Sequence, residues 1–442
     1  MTIMAADSNC GHSDYSQAVS YLYGLQKFGI KLGLDRTRGL LNALGNPHKG
    51  MKFIHVAGTN GKGSVCAFLE SILKEAGFKV GFYSSPHLVR FTERFRINGR
   101  EIGRDAVASL TDEVRAVSDP DDPPTFFEAT TVMALSFFAR EHTDFAIMEV
   151  GMGGRLDSTN VINPIAAGIT NVSMEHQQYL GSRLLDIAYE KAGVIKEGLE
   201  VIAGVTQPPV VDLYGRLSSE KGARLLRVGK DIRYRTTSSG LHYYGTDRRM
   251  EGLELSLKGS FQSRNAAISL GIIEVMGRKG FKLDEDHVRA GLKSTFWPGR
   301  LHVFSHEPAL VLDGSHNPGA IRTVVSTLDK TFSYKRLILV MGIMADKDIG
   351  SMLKEIVPIA DHVIYTRPVY ERAADPKVLY EKARGLGAVG EVAADIPLAL
   401  ERAKALADSR DLILVCGSLF TVGEALTYLD PVAYCPDPVR VY

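Results

Sequence analysis

The most constraining stretch of this 442-residue sequence is HVAGTNGKGS, residues 55–64. An apolar run, KFIHVA (52–57), leads into it. SVCAFLESILKEA (64–76) follows, with Val65, Phe68, Leu69, Ile72 and Leu73 on one helical face. After Gly77 comes a second apolar run, KVGFY (79–83). Strand, glycine loop, helix and strand in that order make a βαβ unit with parallel strands. The glycine loop then sits at a strand's carboxyl end and a helix's amino end. Gly58, Gly61 and Gly63 let the backbone turn tightly and aim its N–H groups at one point, where the helix dipole favours an anion. Lys62 adds a positive charge suited to phosphate. The spacing departs from G-x-x-x-x-G-K-[ST], because Val56 replaces the first glycine and Gly63 separates Lys62 from Ser64.

The alternation continues along the chain. FAIMEV (145–150) and IAAGIT (165–170) read as buried strands. IRYRTTSSGLHYYG (232–245) and LELSL (253–257) alternate like hairpin strands, a small antiparallel patch appended to the parallel sheet. Helices are expected near 264–278 and 284–293, and a domain boundary at TFWPGRLHVF (295–304). Beyond it strands (309–314, 336–343, 362–367, 412–418) alternate with helices (318–330, 349–357, 376–386, 396–408, 421–429). The expected fold is α/β: a mainly parallel P-loop ATPase-type domain over 1–297, then a smaller doubly wound α/β domain over 298–442.

Hydrophobic residues at 45% and charged residues at 23% exclude a disordered or fibrous chain. Net charge is 52 − 51 = +1, so no field attracts nucleic acid or an anionic membrane. Cys10, Cys66, Cys416 and Cys435 form no C-x-x-C pair, which argues against a disulfide scaffold or zinc ribbon. The opening MTIMAADSNCGHSDY lacks a basic segment followed by an apolar run, and no stretch suits a membrane span. The expectation is a cytoplasmic monomer acting on small molecules.

Several polar residues fall at carboxyl ends of expected parallel strands, the edge that also carries the phosphate loop. Ser84 and Ser85 follow the strand ending near Tyr83, Glu149 closes FAIME, and His176 lies beyond IAAGIT. A hydroxyl and a carboxylate near phosphates suit Mg²⁺, a hard cation. Taken singly, Ser85 could instead cap a turn, Glu149 could be a solvated loop acid and His176 a hydrogen-bonded loop histidine.

GTNGKGS resembles the phosphate loop of the Mur ligase superfamily, and its GKGS form resembles the folate branch, the folylpolyglutamate synthases and dihydrofolate synthases. LGLDR (32–36), YSSPHLVRFTERFRINGREI (83–102), TFFEATT (125–131), EVGMGGRLDSTN (149–160), EHQQYLG (175–181), AYEKAGVIK (188–196) and FQSRNAA (261–267) extend the likeness. FWPGRL (296–301), LDGSHNP (312–318), MGIMADKD (341–348) and CGSLFTVGEA (416–425) complete it. The chain is identified as a member of this family.

The resemblance implies ATP between the domains, contacted by Thr59, Asn60, Gly61, Lys62, Gly63, Ser64, Asn265, Arg300 and Asp313. It implies two Mg²⁺ sites, one at Ser85 and Glu149 and one at Glu149, His176 and Lys191, with Lys191 carbamylated by CO₂. Glu175 stands where the family commonly has aspartate. Dihydropteroate contacts map to Lys31, Leu32, Gly33 and Leu34, to Thr125, Phe126, Phe127 and Glu128, and to Leu156, Asp157 and Ser158. Phe126 and Phe127 could equally be core. His316 could meet phosphate or glutamate or cap a helix, and Ser418 matches a part associated with glutamate. The implied reaction adds L-glutamate to dihydropteroate, to reduced folates, or to both through an acyl phosphate, with Lys62, Lys191 and His316 as catalytic residues. LGLDR and TFFE favour the bifunctional type over a folylpolyglutamate synthase alone. A cell-wall ligase fits GKGS poorly, and a non-catalytic nucleotide switch would turn over regardless of glutamate.

Overall fold

The computed structural model describes residues 10–439; residues 1–9, most of the opening stretch, and the Cys10 side chain lie outside that description. Its first sheet holds β1 (Phe53–Ala57), β2 (Val80–Tyr83), β3 (Phe95–Ile97), β4 (Arg100–Glu101), β5 (Phe145–Glu149), β6 (Pro164–Ile169), β7 (Glu200–Ala203) and β8 (Arg224–Arg227). Their order is β4-β3-β2-β5-β1-β6-β7-β8. From β2 to β8 across that order the strands are parallel, and β3 and β4 extend one edge in antiparallel fashion. Every residue of β1 and β5 is buried, as their mainly apolar runs suit central strands covered on both faces. Helices Lys62–Glu75, Gln262–Arg278 and Glu285–Ser294 cover one face. Helices Cys10–Gly24, Arg104–Ala116 and Phe126–Arg140 cover the other. The chain runs from β1 out to β2, returns through β5, and then passes β1 to reach β6. Loops leaving β1, β5 and β6 therefore diverge around one crevice.

The antiparallel patch differs from expectation in two ways. It is a separate sheet, β9 (Arg233–Thr237), β10 (Gly240–Tyr244) and β11 (Arg249–Leu253), in the order β11-β10-β9. It rests on helix Gln262–Arg278, whose Glu274 carboxylate accepts from the Thr246 and Arg248 N–H groups at 3.0 Å each. The third strand also ends at Leu253 rather than running to 257. Beyond it the backbone serves helix Glu285–Ser294 instead, with the Ser256 N–H donating to the Leu292 carbonyl at 3.2 Å.

The second sheet holds β12 (His302–His306), β13 (Ala309–Asp313), β14 (Leu337–Met341), β15 (His362–Tyr365), β16 (Val389–Val392) and β17 (Leu412–Cys416), ordered β12-β13-β17-β14-β15-β16. All are parallel except β12, an edge strand formed from the later part of the stretch read as a junction. Helices cover both faces, Pro318–Thr331 and Ile349–Ile356 on one, Ile396–Leu406 and Leu419–Leu429 on the other.

Contacts at the chain's crossing and in its returning tail help to join the sheets. Trp297 lies over the phosphate-loop helix, so a Cβ on Gly63 would come within 2.8 Å of its Nε1. After the last helix the tail returns to the first sheet. Buried Asp437 accepts from the Tyr15 hydroxyl and from the Phe91 N–H, each at 2.7 Å. Arg90 donates to the Ala433 carbonyl at 3.0 Å while pairing with Glu101 at 2.6 Å. Cys66, Cys416 and Cys435 are free thiols. Among the described residues no helix is long and apolar enough to cross a membrane.

Candidate active site

The glycine loop leaves β1 with Gly58 at φ 138° and Gly61 at φ 87°, conformations that L side chains rarely adopt. Space is short as well. A Cβ on Gly58 would meet Thr170 Oγ1 at 1.9 Å, and one on Gly61 would meet Asn265 Oδ1 at 2.6 Å. The residues after β6 hold the loop in shape. The Asn60 N–H donates to Asn171 Oδ1 at 3.0 Å, and the Asn60 carbonyl accepts from Thr170 Oγ1 at 2.7 Å and Asn171 Nδ2 at 2.9 Å. The Ser173 N–H donates to Thr59 Oγ1 at 3.1 Å. Lys62 folds over its own loop, donating to the Gly58 and Thr59 carbonyls at 3.0 and 3.1 Å. Ser64 is buried, with Gln262 Nε2 3.4 Å from its hydroxyl, and Gln262 in turn holds Asn265 at 2.8 Å. Thr170, Asn171 and Ser173 escaped the sequence reading, although they too are polar residues at a strand's carboxyl end.

The expected metal-binding residues gather beside this loop. Glu149 is 6% exposed, and among the described residues its carboxylate accepts one hydrogen bond, from the Ser85 N–H at 3.4 Å. Burial pushes its carboxyl up, and the Lys62 and Arg300 cations only partly offset this. A buried carboxylate with no bonded cation among the described residues, beside a serine and a glycine-rich loop, suits a hard divalent ion. Lys191 is 1% exposed, not a surface lysine. It donates to the Gly58 carbonyl at 3.1 Å and to Glu175 Oε1 at 2.6 Å. Burial holds its ammonium below the usual lysine range, with Glu175 opposing. For Glu175 burial acts upward, but the Lys191 and Lys62 charges outweigh it and keep the carboxyl low. His176 has φ 47° and begins a short turn, Gln177–Leu180, at the same edge. Among the described residues no cluster of three or more His, Cys, Asp or Glu side chains could hold a metal.

The second sheet adds its own strand-end groups. Asp313 closes β13, accepting from the Leu301 N–H at 2.8 Å and the Ser315 N–H at 2.9 Å, which fixes the turn carrying Arg300. Arg300 Nη1 donates to the Gly299 carbonyl at 3.3 Å. His316 Nδ1 lies 2.8 Å from the Gly314 carbonyl and must donate to it, so Nε2 is left as an acceptor. Burial brings this imidazole down to about 4, so it is neutral at pH 7. Asn317, unremarked in the sequence, links the sheets. Its Oδ1 caps helix Pro318–Thr331 at Ala320 N, 2.8 Å away, while its Nδ2 donates to Asn60 Oδ1 at 3.0 Å. The Asn-Pro pair at the helix start was the available signal. Ser418 is 1% exposed, and its hydroxyl caps helix Leu419–Leu429 through the Thr421 N–H at 3.1 Å.

The expected pterin residues also come together. Lys31 pairs with Asp122 at 2.8 Å, and Arg36 Nε reaches Glu128 at 3.1 Å, tying the segment holding Leu32, Gly33 and Leu34 to helix Phe126–Arg140. Thr125 and Glu128 form a capping box at that helix start. Glu128 is 1% exposed, so it shapes the wall from within. Phe126 stacks on Tyr23, centroids 5.7 Å apart and 10° from parallel. Phe127 packs so closely on Gly151 that a Cβ there would fall 2.4 Å from its ring. Asp157 accepts from the Met152 N–H at 2.8 Å and caps the turn Ser158–Val161, which lies against the same helix; Leu156 precedes it.

Comparison with known proteins agrees with this fold. The Mur ligase middle domain matches residues 56–273, and the Mur ligase glutamate ligase domain matches residues 299–419. The dihydrofolate synthase/folylpolyglutamate synthase of Bacillus subtilis is 32% identical over 93% of this chain and 98% of that protein. Relatives from Haloferax volcanii and Halobacterium salinarum are 36% and 38% identical, and the chain spans only 50% and 51% of their length. Escherichia coli FolC in complex with DHPP and ADP superposes with a TM-score of 0.86 at 33% identity, covering 94% of this chain and 98% of that one. The Yersinia pestis bifunctional enzyme complexed with AMPPNP and Mn ion superposes at 0.85 and 32% identity, covering 95% and 98%. The chain belongs to the dihydrofolate synthase/folylpolyglutamate synthase family of Mur ligases.

Proposed function

We propose that this chain is an ATP-dependent ligase that joins L-glutamate to dihydropteroate and to reduced folates, in the bifunctional manner of its bacterial relatives. The observation that carries this reading is the meeting of Lys62, Glu149 and Lys191 on one sheet edge with Asn317 of the second sheet, bonded to phosphate-loop Asn60 at 3.0 Å. The two units, taken as 1–297 and 298–442, close around ATP. Thr59, Asn60, Gly61, Lys62, Gly63 and Ser64 hold its phosphates, and Asn265, Arg300 and Asp313 frame the nucleotide from the junction. A substrate carboxylate oxygen bonds to the γ-phosphorus as ADP leaves. The α-amine of glutamate then bonds to the acyl carbon, gives up a proton, and phosphate departs. Neutral His316, with Nε2 open, orients the attacking amine. Closure excludes water from the acyl phosphate.

Two Mg²⁺ ions would be held by Ser85 and Glu149, and by Glu149, His176 and a carbamate on Lys191. Bound there, they supply charge neutralisation for the phosphate oxygens. The carbamate forms when neutral Nζ bonds to CO₂ and loses a proton. It is anionic, so it requires the cations that would overcome Glu175. Lys191→Ala should lose activity with partial rescue by a short carboxylate, and its ¹³CO₂-derived carbamate resonance should vanish. Lys191→Arg should not carry the group, since a guanidinium stays protonated.

Dependence on ATP supports a cytoplasmic site of action. The test assays dihydropteroate and tetrahydrofolate separately with ATP and labelled glutamate. Phosphate released in step with labelled amide is the expected result. Slow phosphate release indifferent to glutamate would mean a nucleotide switch, and turnover of tetrahydrofolate alone would remove the bifunctional reading.

A further inference from the structure

Arg94 is 6% exposed, yet among the described residues no carboxylate lies within ion-pair distance of it. Lys191, another buried cation, has Glu175 at 2.6 Å. An unpaired buried guanidinium opposes folding, because neither a counter-ion nor bulk water compensates its lost hydration. Burial does hold this guanidinium below its ordinary range.

Its surroundings aim it. Arg94 ends the turn Phe91–Arg94, in the same loop that carries Ser85. Its Nε donates to His87 Nδ1 at 2.9 Å. A ring nitrogen that accepts leaves its proton on the other, so His87 Nε2 donates to the Tyr23 hydroxyl at 3.3 Å. Arg94 Cζ lies 4.9 Å from the centre of the Phe126 ring, on which Tyr23 is stacked. Tyr23, His87 and Phe126 thus fix the plane of the guanidinium, while its Nη groups have no hydrogen-bond partner among the described residues. Tyr83 and Glu149 lie near enough to act on its charge, so it sits between the aromatic wall and the expected metal edge.

We propose that Arg94 receives the carboxylate of dihydropteroate, the flat aromatic acid that is to be activated; this rests on the ligase reading above. A guanidinium fork matches a carboxylate bidentately. The aromatic rings beside it suit a planar acid rather than glutamate, which has none. The phosphates of ATP have their own cradle of N–H groups around Lys62.

The test is a cycle of protein and ligand. Affinities of dihydropteroate and of the same molecule without its carboxylate are measured on the wild type and on Arg94→Met, with Arg94→Lys as a second variant. The wild type should prefer the acid by at least about tenfold, and Arg94→Met should bind both alike. Arg94→Lys should keep part of the preference, because it keeps the charge but not the fork. Ligand-free Arg94→Met should melt no lower than the wild type, whereas a purely structural arginine would lower the midpoint. The KM for glutamate should stay within about threefold. Equal loss of affinity for acid and decarboxylated analogue, or an unchanged preference in Arg94→Met or Arg94→Lys, refutes the role of Arg94. A wild type that binds neither molecule, and makes no amide, refutes the ligase reading instead.

Discussion

Replacing Glu149 by Gln should stabilise the metal-free protein and disable its response to Mg²⁺. The carboxylate is 6% exposed and, among the described residues, bonded only to the Ser85 N–H at 3.4 Å. The nearest lysine charge is committed elsewhere, since Lys62 donates to the Gly58 and Thr59 carbonyls at 3.0 and 3.1 Å. An ionised group in that position stands uncompensated, and a neutral isostere should recover about 1–3 kcal/mol. Metal at a hundred times its dissociation constant would give the wild type about 2.7 kcal/mol. The two effects have opposite order, so the ranking of melting midpoints should reverse. In EDTA the variant melts higher; with saturating Mg²⁺ and nucleotide the wild type does. Thermal melts of both proteins across a Mg²⁺ titration, paired with amide formation at each point, read this directly. A variant that melts lower in EDTA, or gains as much from Mg²⁺ as the wild type, would show that Glu149 is a structural strand-end acid.

Lys62→Ala should reduce amide formation by about a hundredfold through one lost charge-assisted contact, about 3 kcal/mol, while far-ultraviolet dichroism stays unchanged. Asn317→Ser keeps a helix-capping hydroxyl but is too short to reach Asn60. Its melting should shift by less than about 1 kcal/mol, while the KM for ATP rises about three- to tenfold. His55 is fully buried, with Nε2 2.8 Å from Thr159 Oγ1, and burial lowers it to about 3. The unfolded chain binds its proton below about 6.5 and the folded one does not. Its stability contribution is therefore complete above that pH and fades as pH falls toward its folded value, by about 1.4 kcal/mol per unit. Urea midpoints of the wild type and His55→Asn between pH 6 and pH 4.5 should differ in slope by that one proton.

The strand and helix pattern was legible because it follows from periodicity in one element at a time. β1, β5 and the helix Lys62–Glu75 lie where their apolar runs put them. LELSL misled because alternation shows burial, not what the backbone bonds to, and Ser256 turns to Leu292. Phosphate-loop glycines and strand-end acids were readable from local chemistry. Asn317 and Arg94 were not, since their meaning lies in partners 257 and 7 positions away, Asn60 and His87. Ser418 shows the converse: a hydroxyl at a strand–helix turn looks the same in sequence whether it faces a ligand or caps a helix.

The returning tail has a mechanical consequence. The second sheet meets the first at the Trp297 junction, at the Asn317–Asn60 bond and again where Asp437 grips Tyr15 and the Phe91 backbone. The tail thus works as a latch on the turn Phe91–Arg94, which lies in the loop bearing Ser85. Releasing Asp437 would leave the Phe91 N–H and the Tyr15 hydroxyl without their acceptor, so the tail's docking and the shape of that loop are one coupled feature.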